Sequence, residues 1–247
     1  MILETAVHPE WASNGYLMAG GASSAAVVID PGPPVDEFLR LAARRELDIT
    51  HVVITHRHDD HHEHAADIRE AFPAVEILCH PFERPHIPIA TADARAGTVV
   101  EIGALTLRIL ETPGHTAGSI SPLIDGHVFS GDTLFRGSIG GLISPGHTDF
   151  VDLKRSIMEV LLALPADTVL LPGHDGRTTV ARELEANPFV RVWRGLDEEG
   201  DRACEADGDS ARLIVWARDY DDGYKAWIRR GDGTDLVLAG SRVHPRQ

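Results

Sequence analysis

Three histidines and two aspartates fall within six residues at His56-Arg57-His58-Asp59-Asp60-His61. Imidazole nitrogen and carboxylate oxygen are the ligand atoms that zinc, manganese and iron take. One ion seldom draws so many ligands from one short segment, so the spacing points to two ions. Three further segments carry a ligand in a glycine-containing turn. They are Ile109-Leu110-Glu111-Thr112-Pro113-Gly114-His115, Val128-Phe129-Ser130-Gly131-Asp132 and Val169-Leu170-Leu171-Pro172-Gly173-His174. Glycine lets a chain turn sharply and lets backbone approach a site closely.

Each ligand group follows an apolar run of strand character. Ile49-Thr50-His51-Val52-Val53-Ile54 leads into the first cluster. A strand ending in such a cluster delivers ligands to the edge of a sheet. Residues 15 to 30 read as a hairpin turning at Gly20-Gly21, and Pro31-Gly32-Pro33-Pro34 ends it. An amphipathic helix follows, with Val35, Phe38, Leu39 and Leu41 facing inward. Further helices are expected from about Asp60 to Ala71, from Phe150 to Leu164 with Val151, Leu153, Ile157, Val160 and Leu161 on one face, and from after His174 to about Ala186. The middle of the chain is strand-rich, and a long loop runs from about Phe135 to His147. Strands joined by short turns and then alternating with helices point to layered α/β or α+β structure.

The composition changes after about Asn187-Pro188-Phe189. Residues 198 to 209 are acidic and loop-like. Strand-like pieces follow at Ala211 to Ala217, Tyr224 to Ile228 and Leu236 to Ala239, with Asp221-Asp222-Gly223 and Gly231-Asp232-Gly233 as turns between them. A small β appendage is expected here.

A formal net charge of -15 opposes nucleic acid or an anionic membrane as main partner. The longest apolar runs are far too short to span a bilayer. Met1-Ile2-Leu3-Glu4-Thr5 has neither a basic start nor a long apolar core, so a cytoplasmic location is expected. Two cysteines, Cys79 and Cys204, with no Cys-x-x-Cys, support neither a disulfide framework nor a thiolate zinc site.

The motifs together resemble the metallo-β-lactamase-fold hydrolases, and within them the glyoxalase II (hydroxyacylglutathione hydrolase) branch. The residues that carry the resemblance are His56-Arg57-His58-Asp59-Asp60-His61, the Thr-Pro-Gly-His-Thr-x-Gly-Ser turn at His115, Ser-Gly-Asp-Thr-Leu-Phe at Asp132 and Leu-Pro-Gly-His at His174. The resemblance implies an α/β fold, a four-layer αβ/βα sandwich of two mixed sheets flanked by helices. It covers a catalytic domain over 1–190 and leaves 191–247 as the β appendage. It assigns His56, His58 and His115 to one metal, Asp60, His61 and His174 to a second, and Asp132 as the bridge. Two divalent ions follow, zinc first, with iron or manganese as alternatives. A hydroxide shared between the ions would attack a thioester or related acyl ester, with Asp60 orienting it.

Outside that set, His62, His64 and His51 read as surface or packed histidines, and His147 as a loop histidine. Asp30, in an Asp-Pro-Gly turn, is either a turn cap or a hydrogen-bond partner of a metal ligand. The glyoxalase II pattern also carries an arginine where this chain has Gly141, and a C-terminal helical domain where this chain has the appendage. Arg136 is then the candidate for an anionic substrate group. Trp193, Trp216, Trp227 and Tyr224 are expected to pack the appendage onto the main domain or to wall a substrate cleft. A small-molecule substrate is expected, with neither nucleic acid nor membrane as partner, and a homodimer is compatible with the sequence. A lactonase is a close variant. The alternative of a different class is a persulfide dioxygenase with one iron on His56, His115 and Asp132.

Overall fold

A computed structural model describes residues 1–21 and 23–246. The chain begins with strands β1 (Ile2–Val7), β2 (Asn14–Ala19) and β3 (Ala25–Ile29), helix α1 (Asp36–Arg45) and strand β4 (Asp48–Val53). Helix α2 (Ala65–Ala71) and strands β5 (Glu76–Cys79) and β6 (Ala92–Asp93) complete a first sheet of order β1-β2-β3-β4-β5-β6. Its first three strands are antiparallel and its last four parallel.

The second sheet starts with β7 (Val99–Ile102), β8 (Leu105–Glu111), β9 (Ile120–Ile124) and β10 (His127–Gly131). A short hairpin, β11 (Leu134–Phe135) and β12 (Ser138–Ile139), and helix α3 (Phe150–Arg155) follow. Strands β13 (Val169–Pro172) and β14 (Thr178–Thr179) close the order β14-β13-β10-β9-β8-β7, with β10 and β13 parallel. Helices α4 (Val180–Ala186) and α5 (Pro188–Trp193) lead out of this sheet.

Strand alternation sorts side chains into the layers. Tyr16, Met18, Val27, Ile29 and Val53 of the first sheet meet Leu107, Ile109, Ile120, Phe129 and Leu171 of the second in a core between the sheets. The opposite face of the first sheet, through Leu17, Val28 and Val52, buries Phe38 of α1 and Ile68 of α2. The outer face of the second sheet, through Val128 and Leu170, buries Leu153, Ile157 and Leu161. The result is the four-layer arrangement of two mixed sheets flanked by helices that the resemblance implies.

Strands β15 (Arg202–Ala206), β16 (Asp209–Arg218), β17 (Tyr224–Arg230), β18 (Asp235–Ala239) and β19 (Val243–Pro245) form a separate five-stranded sheet of order β18-β17-β16-β15-β19. One of its faces belongs to the core of the main domain, since Ile214, Val215, Ala217, Trp227 and Val237 pack with Leu153, Ile157 and Val190. Phe150, Trp193 and Trp227 meet there, with Phe150 and Trp227 ring centroids 4.8 Å apart. Trp216 instead stacks on Tyr224 at the appendage surface.

Several elements differ from the sequence expectation. The segment expected as an acidic loop contains β15, whose charged residues alternate with buried Cys204 and Ala206 and turn at Asp207-Gly208. Strand β1 carries too few buried positions to announce itself by pattern. The helix expected from Asp60 is a single 3-10 turn at Asp59–His61, and α2 begins only at Ala65. After His174 the chain makes β14 before α4 starts. Helix α3 widens into a π-type turn over Ser156–Leu161, and Val151 faces solvent rather than the core.

Candidate metal centre

All four ligand-bearing segments leave their strands at the same end of the two-sheet stack. The first cluster follows β4, His115 follows β8, Asp132 follows β10 and His174 follows β13. Neighbouring loops fix the cluster at close range. The Asp60 carbonyl accepts a hydrogen bond from Ser13 Oγ at 2.7 Å, and the His64 amide donates to the Pro31 carbonyl at 2.8 Å. A Cβ on Gly32 would lie 1.6 Å from the Asp60 carbonyl oxygen, so only glycine lets this loop seat against the ligand turn. The turn at His174 is held by β2: Asn14 Nδ2 donates to the Pro172 and Asp175 carbonyls, and the Tyr16 hydroxyl to Pro172 at 2.6 Å.

The seven side chains converge. His58 Nδ1 lies 3.0 Å from His56 Nε2 and 3.1 Å from His115 Nε2. Asp60 Oδ2 lies 3.5 Å from His61 Nε2 and 3.4 Å from His174 Nε2. Asp132 sits between these groups. Its Oδ2 is 3.6 Å from His115 Nε2 and 3.5 Å from His174 Nε2, and its Oδ1 is 3.3 Å from His61 Nε2. Three sets place their ligand atoms within 4.8 Å of one another: His56, His58 and His115; His56, His61 and Asp132; Asp60, His61 and His174.

Outer partners decide which ring nitrogen faces inward. His115 donates from Nδ1 to the Gly141 carbonyl at 2.9 Å. His61 donates from Nδ1 to Asp30 Oδ2 at 3.0 Å. Thr55 Oγ1 donates to the same Asp30 oxygen at 2.8 Å and receives His56 Nδ1–H at 3.0 Å. Asp30 Oδ1 accepts the Thr55 amide at 2.7 Å. One buried carboxylate therefore orients two ligands, which resolves the two readings of Asp30 in favour of a ligand partner. His174 is held differently. Its Nδ1 is buried with no hydrogen-bond partner among the described residues. Its ring lies flat on Tyr220 of the appendage, centroids 4.2 Å apart and planes 11° apart, with Phe135 at its edge.

Sequence reasoning did not single out Glu83 or Tyr220. Glu83 is fully buried, pairs with Arg57, and accepts the Gly118 amide at 2.7 Å, so it ties the first cluster to the His115 turn. A lone glutamate in a loop gives no local signal of this, and neither does a tyrosine more than forty residues beyond His174.

The group fits metal ions. Asp132 Oδ1 and His61 Nε2 are buried without hydrogen-bond partners among the described residues, which is costly unless something else satisfies them. His56, His58 and His115 turn ring nitrogens toward one another at hydrogen-bonding distance. Burial, then His61, pushes His56 well below the usual histidine range, and burial brings His115 down to about 4. These two rings thus present lone pairs rather than protons. Burial also opposes charge at His174 and His61, but carboxylates outweigh it. Asp132 and Asp60 lift His174 to about 9, and Asp132 and Asp30 raise His61 well above its usual value. Asp132 itself is disfavoured as an anion by burial, yet His174 and His61 hold it well below the carboxylate range.

The centre opens into a cavity of about 460 Å3. His58, Asp60, His115, Asp132 and His174 lie at its base, and Trp11, Phe135 and Ile143 form part of its wall. Tyr220, Lys225 and Ala239 of the appendage complete it. Arg136 does not line this cavity. Its guanidinium is taken up by Asp175 in a two-point contact of 3.0 and 2.7 Å. His62 bonds the Arg57 carbonyl, His64 pairs with Asp67 and His147 bonds the Ser144 carbonyl, all away from the ligand group. A separate group of His8, Glu63 and His64 lies near the rim. There His8 Nδ1 accepts the Glu10 and Trp11 amides and its ring stacks on Trp11, so it braces the cavity wall.

A family model described as "Metallo-beta-lactamase superfamily" matches residues 8–174. A hydroxyacylglutathione hydrolase of Xanthomonas campestris pv. campestris is 33% identical over 150 residues, covering 61% of this chain and 56% of the relative. Among solved structures, ETHE1 from Myxococcus xanthus is 31% identical, with a TM-score of 0.68, over 80% of this chain and 92% of the other. A structure titled TTHA1623 in a di-iron-bound form is 30% identical, with a TM-score of 0.67, over 75% of this chain and 99% of the other. No helix among the described residues is long and apolar enough to cross a membrane.

Proposed function

Because the chain belongs to the metallo-β-lactamase superfamily, we propose that it is a binuclear metal-dependent hydrolase of thioesters or related acyl esters. The observation that carries this reading is the position of Asp132. Its Oδ2 lies between His115 of one group and His174 of the other, and its Oδ1 reaches His61, so one carboxylate touches both ligand groups. His56, His58 and His115 would hold one ion, Asp60, His61 and His174 the other, with Asp132 shared. Divalent ions held by these residues would supply Lewis-acid chemistry, lowering the pKa of a water to near neutrality and polarising an acyl carbonyl. Zinc suits the nitrogen and oxygen donors, and the di-iron form of TTHA1623 keeps iron in view.

The chain's own residues do the rest. Asp60 stays ionised because His174 and His61 overcome the effect of its burial. It is partly exposed to the cavity and can orient the attacking water as a hydrogen-bond acceptor. Phe135, Trp11 and Tyr220 line the space beside the candidate ligands. A thiolate leaving group needs little protonation, so the reading calls for no separate general acid. The likeness to the Xanthomonas hydrolase supports a thioester, and a lactone is the close variant.

A persulfide oxidation on a single iron needs only His56, His115 and Asp132. Retention of His58, Asp60, His61 and His174 within reach of the same centre favours two ions. Metal quantitation on the purified protein, followed by a panel of thioesters, lactones and persulfides, tests the proposal. Two metals per chain with acyl hydrolysis is the expected result. One iron per chain with oxygen uptake on a persulfide would overturn it.

A further inference from the structure

We infer that Lys225, supplied by the appendage, is the substrate-recognition cation of this centre and takes a carboxylate on the acyl substrate or its leaving group. The inference rests on the hydrolase reading above and names the substrate class for it. Lys225 is the single lysine or arginine lining the cavity among the described residues. It lies on β17 and is 6% exposed. A lysine this buried is held by partners or by purpose. Its ammonium is 2.9 Å from Asp219 Oδ2, while Asp219 Oδ1 receives the Ser138 hydroxyl at 2.8 Å. The carboxylate is thus anchored from the main domain, and it fixes the ammonium in turn.

An ammonium carries three donors, and Asp219 is the one acidic partner within 4 Å among the described residues. Lys225 Nζ otherwise passes over the rings of Tyr220 and Phe135, 5.6 and 5.9 Å from their centroids. Those rings offer charge stabilisation but little hydrogen bonding, so the remaining donors are left for an oxygen in the cavity. Gly141 faces the same cavity without a side chain, and the next amide, Leu142, is bonded to Val237 of β18 at 2.8 Å. The appendage therefore packs beside Gly141 through Val237, and its Lys225 lines the same cavity. A single ammonium facing the cavity selects for negative charge, and a carboxylate matches the donors available.

The test uses the zinc-loaded 247-residue chain and matched acyl thioesters of 3-mercaptopropionate and of its carboxamide. Lys225→Met leaves the buried Asp219 carboxylate without its cation, so the double variant Asp219→Asn/Lys225→Met is made beside it. The expected result is a carboxylate preference in wild type, read as the acid-to-amide ratio of kcat/KM, that both variants lose about tenfold to hundredfold. Calorimetry with non-hydrolysable thioether analogues of the acid and the amide gives a readout independent of turnover. The acid should bind wild type more tightly than the amide, and equally in the double variant, at unchanged zinc content. An acid-to-amide ratio that is the same in wild type and the double variant would overturn the inference. Absence of turnover on every thioester would overturn the hydrolase reading instead, and the calorimetric ratio would still decide Lys225.

Discussion

His56 and His115 face the centre as neutral bases, whereas His61 and His174 face it as proton carriers. Burial keeps the first two deprotonated, and neighbouring carboxylates keep the last two charged. A metal entering beside His61 and His174 must displace their protons. Calorimetric metal titration near pH 7 should therefore show a heat that depends on the buffer for one equivalent of metal, and affinity at that step should rise up to about pH 9. Buffer-independent heats for both equivalents would contradict this. The same shift fixes a sign for stability. A raised folded-state value for His174 favours the metal-free fold below the ordinary histidine range, and the contribution is lost as pH passes through about 9. Metal-free protein should melt lower at pH 10 than at pH 7. Asp30 makes a second residue-level prediction. Asp30→Asn keeps the shape but gives up a charged acceptor for His61 and Thr55, and should cost about 10- to 100-fold in metal affinity, read by competition with a chelator.

Strand ends set the geometry of the centre, and glycines let the ligand turns close on one another. Gly173 shows the tolerance. A Cβ there would stand 2.2 Å from Asp132 Oδ1 and 2.7 Å from His61 Cε1. Gly173→Ala should leave the sheets intact by circular dichroism yet reduce bound metal below two per chain. Full loading of that variant would show that the β13 turn can yield. Arg57 and Glu83 act at the same scale. Their pairing and the Glu83 bond to Gly118 lock two ligand turns together beneath the ligands.

The appendage shares a core with the two-sheet layers, through Ile214, Val215 and Trp227 against Leu153, Ile157 and Val190. It also stacks Tyr220 on His174. Stability and the metal centre are therefore coupled across the boundary expected near residue 190. A single calorimetric unfolding transition is expected for the whole chain. Removal of residues 197–247 should yield a protein that aggregates or unfolds at lower temperature, because the outer face of the second sheet loses part of its cover. A truncated chain with an unchanged transition would mean that the two parts fold independently.

The residue types and spacing that mark seven candidate ligands, and the two-sheet plan, were legible in the sequence. Ligand chemistry is written in residue types, and ligand spacing after apolar β-branched runs is a local property of the chain. His56, His58, Asp60 and His61 needed only their own neighbours to be recognised. The secondary-structure limits were less legible, as β15 and the break between Asp59–His61 and α2 show, because packing rather than propensity set them. Choices between a cap and a ligand partner for Asp30, or between Arg136 and Lys225 for the cavity cation, lay beyond sequence. Arg136 and Asp175 are 39 residues apart, and nothing local announces that they neutralise each other. Lys225 lies far along the chain from the ligands it overlooks. Distances between segments remote in sequence depend on how layers stack, and only the tertiary structure brings the appendage over the metal centre.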